Sequence, residues 1–211
     1  MSHGQKIWHA QVINEDTNRA LDHLNRTSLL EGFYLAGGTG LALHLGHRRS
    51  KDLDFFTVGP LDADLAIDRL RGLKDLRVIE KSEGTLHANL GDTKVSFLRY
   101  PYPLLFACEP FHDVKVADPR DIGCMKLSAI ASRGTKRDFI DLHAIAVLYG
   151  LPQLVQWFEE KVRPVTFSRV HLLKSLTYFE DADREPMPDM LTSLSWKAVK
   201  AFFTAETPKQ L

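Results

Sequence analysis

The chain has 211 residues, of which 44% are hydrophobic and 26% charged, as expected for a folded protein of one domain or two small ones. Lysine plus arginine and aspartate plus glutamate both total 27, so the formal net charge is zero and a general basic surface for nucleic acid is not indicated. Two cysteines, Cys108 and Cys124, lack metal-site spacing and predict a reducing, cytoplasmic setting. Residues 1–10 are polar and no stretch is apolar enough to span a bilayer, so we expect no signal peptide and no membrane contact.

The first half of the chain mixes helical and extended patterns. Apolar residues at helical spacing predict helices over residues 12–24, 39–47 and 61–73. In the third of these, Leu61, Leu65 and Leu70 are expected to face inward. Short apolar or alternating runs predict strands over residues 33–36, 53–56, 76–80, 85–90 and 94–100.

The second half reads as helical throughout. Asp118 is typical of a helix N-cap and Pro119 of the first helical residue, and Gly134 is typical of the residue that ends the same helix. Helices are predicted over residues 118–133, 136–149, 154–162, 167–178 and 190–204. We therefore expect an α/β domain over residues 1–115 and a helical domain over residues 116–211.

The densest candidate chemistry lies between residues 36 and 56. Gly37 and Gly38 precede a helix, so their backbone can approach a ligand closely and aim N–H groups and the positive end of the helix dipole at an anion. Thr39 adds a hydroxyl donor. Asp52 and Asp54, one residue apart, are expected on one face of a strand, where two carboxylates require a compensating cation such as Mg²⁺ (or Mn²⁺).

Each element of this pattern also has a purely structural explanation. A Gly-Gly before a helix is often only a turn, and Asp-x-Asp is often a solvated strand end. The ordered combination of loop, helix, basic linker and paired carboxylates is more specific, and it favours in-line phosphoryl transfer assisted by one or two metal ions. A purely structural α/β domain would leave the carboxylate pair without a cation and the glycine loop facing no cleft.

The string Ala-Gly-Gly-Thr from residue 36, His-Arg-Arg-Ser from residue 47 and Asp-Leu-Asp-Phe-Phe from residue 52 resembles a known signature. It is similar to that of the polymerase-β-like nucleotidyltransferase superfamily, and most of all to its AbiEii toxin branch, the nucleotidyltransferase partners of type IV toxin–antitoxin (abortive infection) systems. Lys126, and the run from Lys136 to Leu142, resemble later motifs of that branch. The resemblance covers roughly residues 30 to 150, and the region beyond Gly150 is matched only in being helical.

The resemblance implies an α+β fold, with a small mixed sheet and flanking helices of the polymerase-β-like nucleotidyltransferase type followed by a C-terminal helical bundle. It also implies roles for three groups of residues. The expected metal ligands are Asp52 and Asp54. The expected nucleotide-binding residues are Gly37, Gly38, Thr39, Arg49, Ser50, Lys126, Asp138 and Asp141. The expected catalytic residues are Asp52, Asp54 and Lys126.

One position departs from the superfamily pattern, which carries a third carboxylate on a following strand. In this chain the corresponding residue is Ser96, and a serine hydroxyl is a poor substitute for a carboxylate base. Three outcomes follow: the enzyme works with two carboxylates and water, another acid such as Asp92 substitutes, or the site binds nucleotide without turning it over. Loss of a general base costs on the order of 10²–10⁴-fold in rate.

The charged residues of the second half have competing interpretations. Lys126 falls within the apolar stripe of its helix, so it must meet a partner, face phosphate in a cleft, or extend its amine to solvent. Asp138 and Asp141 sit early in the next helix, where acids also complement the helix dipole. His44 and His47 lack partners for a zinc site and are expected on a helix surface.

The sequence thus predicts a metal-dependent nucleotidyltransferase that transfers a nucleotide from a nucleoside triphosphate to RNA or protein. The resemblance implies a cognate antitoxin. The alternative is a nucleotide-binding module with impaired catalysis that acts through partner contacts, and Ser96 is the residue that favours it.

Overall fold

A seven-stranded mixed sheet forms the centre of the computed structural model, which describes residues 6–163 and 167–210. Its strands are β1 (Tyr34–Leu35), β2 (Leu53–Thr57), β3 (Leu76–Ser82), β4 (Thr85–Leu90), β5 (Thr93–Arg99), β6 (Glu109–Phe111) and β7 (Val114–Val116). Their order across the sheet is β3-β4-β5-β2-β1-β7-β6. The pairs β2/β5 and β1/β7 are parallel and the remaining pairs are antiparallel. The sheet is therefore of the mixed type that the sequence predicts, with β6 and β7 as two additional short strands.

Nine α-helices pack around and after this sheet in the described part of the chain. They are α1 (Glu15–Asn25), α2 (Gly37–Leu45), α3 (Ala63–Leu70), α4 (Pro119–Ser132), α5 (Lys136–Tyr149), α6 (Leu151–Val162), α7 (Arg169–Ser175), α8 (Glu180–Asp183) and α9 (Trp196–Glu206). The predicted elements are present with shifted ends, and the α+β class with a helical C-terminal region is confirmed. Val12, the first residue of the predicted helix 12–24, ends a 3-10 turn (Ala10–Val12), and the α-helix begins only at Glu15.

The alternation along β2 fixes which side chains enter the core. Leu53 and Phe55 are fully buried, as predicted, and the Phe55 ring stacks on Phe97 of β5 with 5.5 Å between centroids. The intervening Asp54 therefore points to the opposite face of the sheet. The prediction for Leu65 is wrong: α3 turns Ala66 and Leu70 inward and leaves Leu65 52% exposed.

The helices of the second half share a core with the first. One apolar cluster joins Tyr34 and Leu41 to buried residues of α4, α5, α6 and α9. Gly123 lets α4 approach α6 closely, because a Cβ there would lie 2.8 Å from a methyl of Leu154. The domain boundary between residues 115 and 116 stays a prediction, since this cluster draws on both sides of it.

A fully buried ion pair between α4 and α6 anchors the segment that leads into β6. Lys161 Nζ donates to Asp121 Oδ1 at 2.5 Å and to the carbonyl of Pro103 at 2.6 Å. Asp121 also accepts the backbone N–H groups of Leu105 and Phe106 at 3.1 and 2.9 Å. The charge of Lys161 is thus matched by a carboxylate that is itself fully hydrogen-bonded.

None of the described helices alone is long and apolar enough to cross a membrane. Helices α5 and α6 together would be long and apolar enough by length and composition alone, but the chain bends by 107° between them.

Candidate nucleotide-transfer site

The glycine loop forms the first turn of α2 and lines a cavity on the open face of the sheet. Gly37 has φ +61°, and a Cβ there would come within 2.6 Å of Asp54 Oδ2. A side chain on Gly38 would collide with the guanidinium of Arg48. Both positions therefore require glycine, and the absence of side chains there leaves the N-terminus of α2 accessible to an anion.

The two aspartates lie side by side at the mouth of this cavity. Asp54 is on β2, whereas Asp52 immediately precedes the strand, and both line a recess of about 220 Å³. Removal of the Asp54 carboxyl from solvent raises its pKa, and the Ser96 hydroxyl and the charge of Lys126 oppose that effect. Arg137 Nη1 lies 3.8 Å from Asp52 Oδ2. A cation between the aspartates would relieve both the desolvation and the repulsion.

The Thr39 hydroxyl shapes the loop and does not line the cavity or the recess. The buried Thr39 hydroxyl is 2.8 Å from Ser50 Oγ and also donates to the carbonyl of Asp52. This pair ties the start of α2 to the segment that carries the aspartates. Ser50 still lines the recess. The role expected for Thr39 is therefore corrected: its hydroxyl is committed to the protein.

Of the neighbouring residues Arg48 and Arg49, Arg48 is the one that lines the recess of the cleft. Arg49 is exposed, lies 3.2 Å from Asp189 and lines a groove that adjoins the recess, with which the groove shares Asp52. Arg48 is 4% exposed and donates from Nε and Nη2 to the two oxygens of Asp141 at 2.7 and 2.8 Å. The nucleotide-binding role of Arg49 stays a prediction.

Lys126 meets buried partners on α5. Its Nζ lies 2.9 Å from Asp138 and 2.7 Å from Asp141, and His47 Nε2 is 2.8 Å from the same Asp141 carboxylate. Burial opposes the charged form of Lys126, but the two carboxylates outweigh it and raise the lysine pKa. Burial likewise opposes ionisation of Asp138, yet Lys126 and Arg133 hold its pKa at about 2. The lysine is therefore a fixed cation at the cleft floor.

Asp141 does not reach the cavity. It is fully buried behind Lys126, where Lys126 and Arg48 hold its pKa well below the ordinary value against the effect of burial. Its expected contact with nucleotide is corrected to a supporting one. The surface positions expected for two histidines are also wrong: His47 binds Asp141, and His44 is buried with Nε2 2.8 Å from the carbonyl of Ala117.

The cavity over the sheet has a cationic rim and an apolar part. It measures about 320 Å³ and adjoins the recess of about 220 Å³, with which it shares Asp54 and Lys126. Lys94 and Arg133 carry positive charge to its edge. The apolar part is formed by Phe56, Leu98, Tyr100, Met125 and Ala129. Such a division suits a ligand with an anionic chain and a flat apolar group.

Ser96 occupies the position beside Asp54 that the sequence assigned to it. The two residues are register partners in the parallel pair β2/β5. Ser96 is 1% exposed, and its Oγ lies 3.0 Å from Nδ1 of His87, its register partner on β4. Asp92 lies on the exposed β4–β5 turn, and Asp92 is not among the residues that line the cleft. Its position therefore gives no support to a role in place of the third carboxylate.

Sequence reasoning missed His87 and Lys94, which line the cavity from β4 and β5. Both alternate with buried residues, but the pattern gives no sign that their face of the sheet meets a cleft. The register between strands supplies that information.

The donor set fits a divalent cation supplied with its substrate. In the described ranges, no cluster of three or more His, Cys, Asp or Glu side chains is placed to hold a metal. Asp52 and Asp54 offer two carboxylates, and Mg²⁺ commonly takes one or two from the protein while substrate phosphates and water complete its shell.

Comparisons with known proteins agree with this geometry. The sequence profile described as "Nucleotidyl transferase AbiEii toxin, Type IV TA system" matches residues 19–102 and 85–210. An uncharacterized protein of Aquifex aeolicus (strain VF5) is 37% identical over 205 residues, which cover 94% of this chain and 98% of that protein.

Two solved structures share the fold at 18% identity. MenT4, a nucleotidyltransferase toxin from Mycobacterium tuberculosis H37Rv, superposes with a TM-score of 0.55 over 91% of this chain and 82% of its own. JHP933 from Helicobacter pylori gives 0.52 over 93% and 91%. With the glycine loop, the paired aspartates and the profile match in agreement, the chain belongs to the AbiEii nucleotidyl transferase toxin family of type IV toxin–antitoxin systems.

Proposed function

We propose that this protein transfers a nucleotidyl group from a nucleoside triphosphate to a hydroxyl of RNA or protein, with Mg²⁺ or Mn²⁺ as cofactor. The observation that carries the proposal is a convergence in one cleft. The bare N-terminus of α2 at Gly37, the carboxylates of Asp52 and Asp54, and the fixed cation of Lys126 all line it. These are the groups that in-line phosphoryl transfer requires for positioning and charge stabilisation.

The triphosphate fits the polar end of the cleft. Backbone N–H groups at Gly37 and Gly38 would hold phosphate oxygens, with Lys126 beneath them and Lys94 and Arg133 at the rim. Asp138 aligns Lys126 and Arg133 and so binds the nucleotide indirectly. The nucleobase would lie against the apolar part of the cavity.

Asp52 and Asp54 would hold the metal. When bound, a divalent cation neutralises phosphate charge and makes the acceptor hydroxyl more acidic. The protein's own part is to fix the carboxylates: Ala36 N–H donates to the Asp54 carbonyl at 3.0 Å, and Thr39 holds the Asp52 carbonyl. Both aspartates are therefore held against the glycine loop.

Ser96 supports a second candidate, a nucleotide-binding module with impaired catalysis that acts through partner contacts. Its hydroxyl stands next to Asp54, where the superfamily pattern has a carboxylate, and Asp92 lies elsewhere. Such a protein would bind Mg²⁺·NTP through the same residues and release it unchanged.

A cognate antitoxin and a cytoplasmic setting are part of the proposal. The family membership supports the former, and the free thiols of Cys108 and Cys124 fit the latter.

The decisive experiment incubates each α-labelled NTP with Mg²⁺ or Mn²⁺ and a total RNA and protein pool. It compares wild type with the double variant Asp52→Ala/Asp54→Ala, with Ser96→Asp, and with Asp92→Asn as an exposed-aspartate control. Transfer that is lost in the double alanine variant and kept in Asp92→Asn supports the transferase. NTP binding without transfer by wild type, and a gain of transfer in Ser96→Asp, supports the binding module.

A further inference from the structure

A row of three polar side chains crosses the sheet at the floor of the cleft. His87 on β4 is the register partner of Ser96 on β5, which is the register partner of Asp54 on β2. His87 Nδ1 lies 3.0 Å from Ser96 Oγ, and all three residues line the 320 Å³ cavity. The row therefore connects a candidate metal ligand to an imidazole that borders the ligand space.

The chemistry of the row fixes the proton positions. Ser96 is the register partner of Asp54, and its hydroxyl opposes the rise in the pKa of that carboxyl, as a hydrogen-bond donor does. Since an ionised carboxylate only accepts hydrogen bonds, we assign the single hydroxyl proton of Ser96 to Asp54. Ser96 Oγ must then accept from His87, which places a hydrogen on Nδ1. A neutral imidazole with its proton on Nδ1 has its lone pair on Nε2. Within residues 6–163 and 167–210, Nε2 forms no hydrogen bond that would occupy this lone pair.

Other proton acceptors around the cleft are committed elsewhere. Asp138 is paired with Lys126 and Arg133, which hold its pKa at about 2, too low for an efficient base near neutral pH. Asp141 is enclosed behind Lys126. Asp52 and Asp54 are assigned to the metal. His87 is the group at the cleft whose accepting atom is free among the described residues.

We propose that His87 is the general base of the transfer reaction, in the role that the missing carboxylate would have filled. This inference rests on the proposed nucleotidyl transfer. His87 Nε2 takes the proton of the acceptor hydroxyl while that oxygen attacks the α-phosphorus. The new P–O bond forms as the bond from the α-phosphorus to the bridging oxygen of the β-phosphate breaks, and pyrophosphate leaves with the electron pair. Ser96 acts as a positioning residue that sets the tautomer and orientation of the ring.

The test uses the full chain and compares His87→Gln with wild type in the labelled-NTP assay. The amide of glutamine retains a donor for Ser96 but has no basic nitrogen. We expect kcat to fall on the order of 10²–10⁴-fold, as for loss of a general base, with Mg²⁺·NTP affinity changed by less than about threefold. His143→Gln, a half-buried histidine on α5 outside the cleft, is the matched control and should keep wild-type turnover.

A rescue separates chemistry from folding. Ser96→Asp in the His87→Gln background restores a carboxylate beside Asp54, so the double variant should be at least about tenfold faster than His87→Gln alone. If His87→Gln melts far below wild type, His87→Ala with added imidazole gives the same comparison, and imidazole-dependent recovery supports the base.

The outcomes are distinguishable. An active wild type with His87→Gln within about threefold of it overturns the base and leaves the transferase intact. Parallel loss of Mg²⁺·NTP affinity and rate in His87→Gln overturns it also, since His87 would then bind substrate. No transfer by wild type with either metal overturns the proposed function and the base together.

Discussion

Replacement of Asp141 by asparagine is the sharpest test of how the cleft floor is held. The carboxylate is fully buried and receives Arg48 through two hydrogen bonds of 2.7 and 2.8 Å, Lys126 at 2.7 Å and His47 at 2.8 Å. Asparagine keeps the size of the side chain but removes its charge. Lys126 would retain Asp138, whereas Arg48 would lose its carboxylate partner and remain buried.

The expected cost follows from that uncompensated charge. Removal of one partner of a buried ion pair destabilises proteins by about 3–5 kcal/mol, a large share of the roughly 5–15 kcal/mol that stabilises a typical domain. At about 2–4 °C per kcal/mol for a chain of this size, Asp141→Asn should lower Tm by about 6–20 °C.

Urea denaturation followed by circular dichroism gives the free energy of unfolding. Asp92→Asn, an exposed aspartate on the β4–β5 turn, serves as the control and should change it by less than about 0.5 kcal/mol. A loss below about 1 kcal/mol in Asp141→Asn, with an unchanged m-value, would refute the view that this carboxylate neutralises two buried cations.

Three other predictions concern the loop, acid and the second buried pair. Gly37→Ala places a Cβ 2.6 Å from Asp54 Oδ2 at φ +61°, so calorimetry should give at least about tenfold weaker Mg²⁺·ATP binding. The pKa of Asp138 falls from 3.8 to about 2 on folding, so its ionised form should add about 2 kcal/mol to the free energy of unfolding. This contribution is fully present above pH 4 and is lost as pH falls toward 2. An acid titration in which Asp138→Asn loses stability equally at pH 2 and pH 6 would contradict this. Lys161→Met leaves Asp121 buried without its cation and should lower the free energy of unfolding, measured in urea, by about 3–5 kcal/mol. An unchanged free energy of unfolding would mean that the backbone N–H donors alone stabilise Asp121.

Local sequence patterns predicted the helices and strands, the glycine loop and the pair of carboxylates. Glycines before a helix and alternating aspartates beside Leu53 and Phe55 carry their meaning within a few residues, so the loop and the carboxylates were identified together. The strands β6 and β7 have three residues each, too short for alternation to be recognised. For Lys126 the sequence left a buried partner, a phosphate-facing position and a solvent-exposed amine open, and the structure gives it Asp138 and Asp141 as partners.

The remaining features depend on contacts between distant parts of the chain. Arg48 and Asp141 are 93 residues apart and His47 and Asp141 are 94 apart, so no spacing rule could pair them, and the histidines were wrongly expected on the surface. Arg49 was favoured over Arg48 for the cleft because adjacent residues are not distinguished without the turn that separates them. His87 became visible only through the register of three strands.

The buried ions also bear on how a substrate enters. His47 and Arg48 follow α2, while Asp141 and Lys126 belong to the helices that form the opposite wall of the cleft. To swing the walls apart as a hinge would expose and separate these charges together, at a cost comparable to unfolding much of the domain. The cavity is therefore preformed, with its walls held together by buried ion pairs. If the proposed function holds, we expect a nucleotide to enter past the exposed side chains of Arg133 and Arg137 without a hinge movement of the walls.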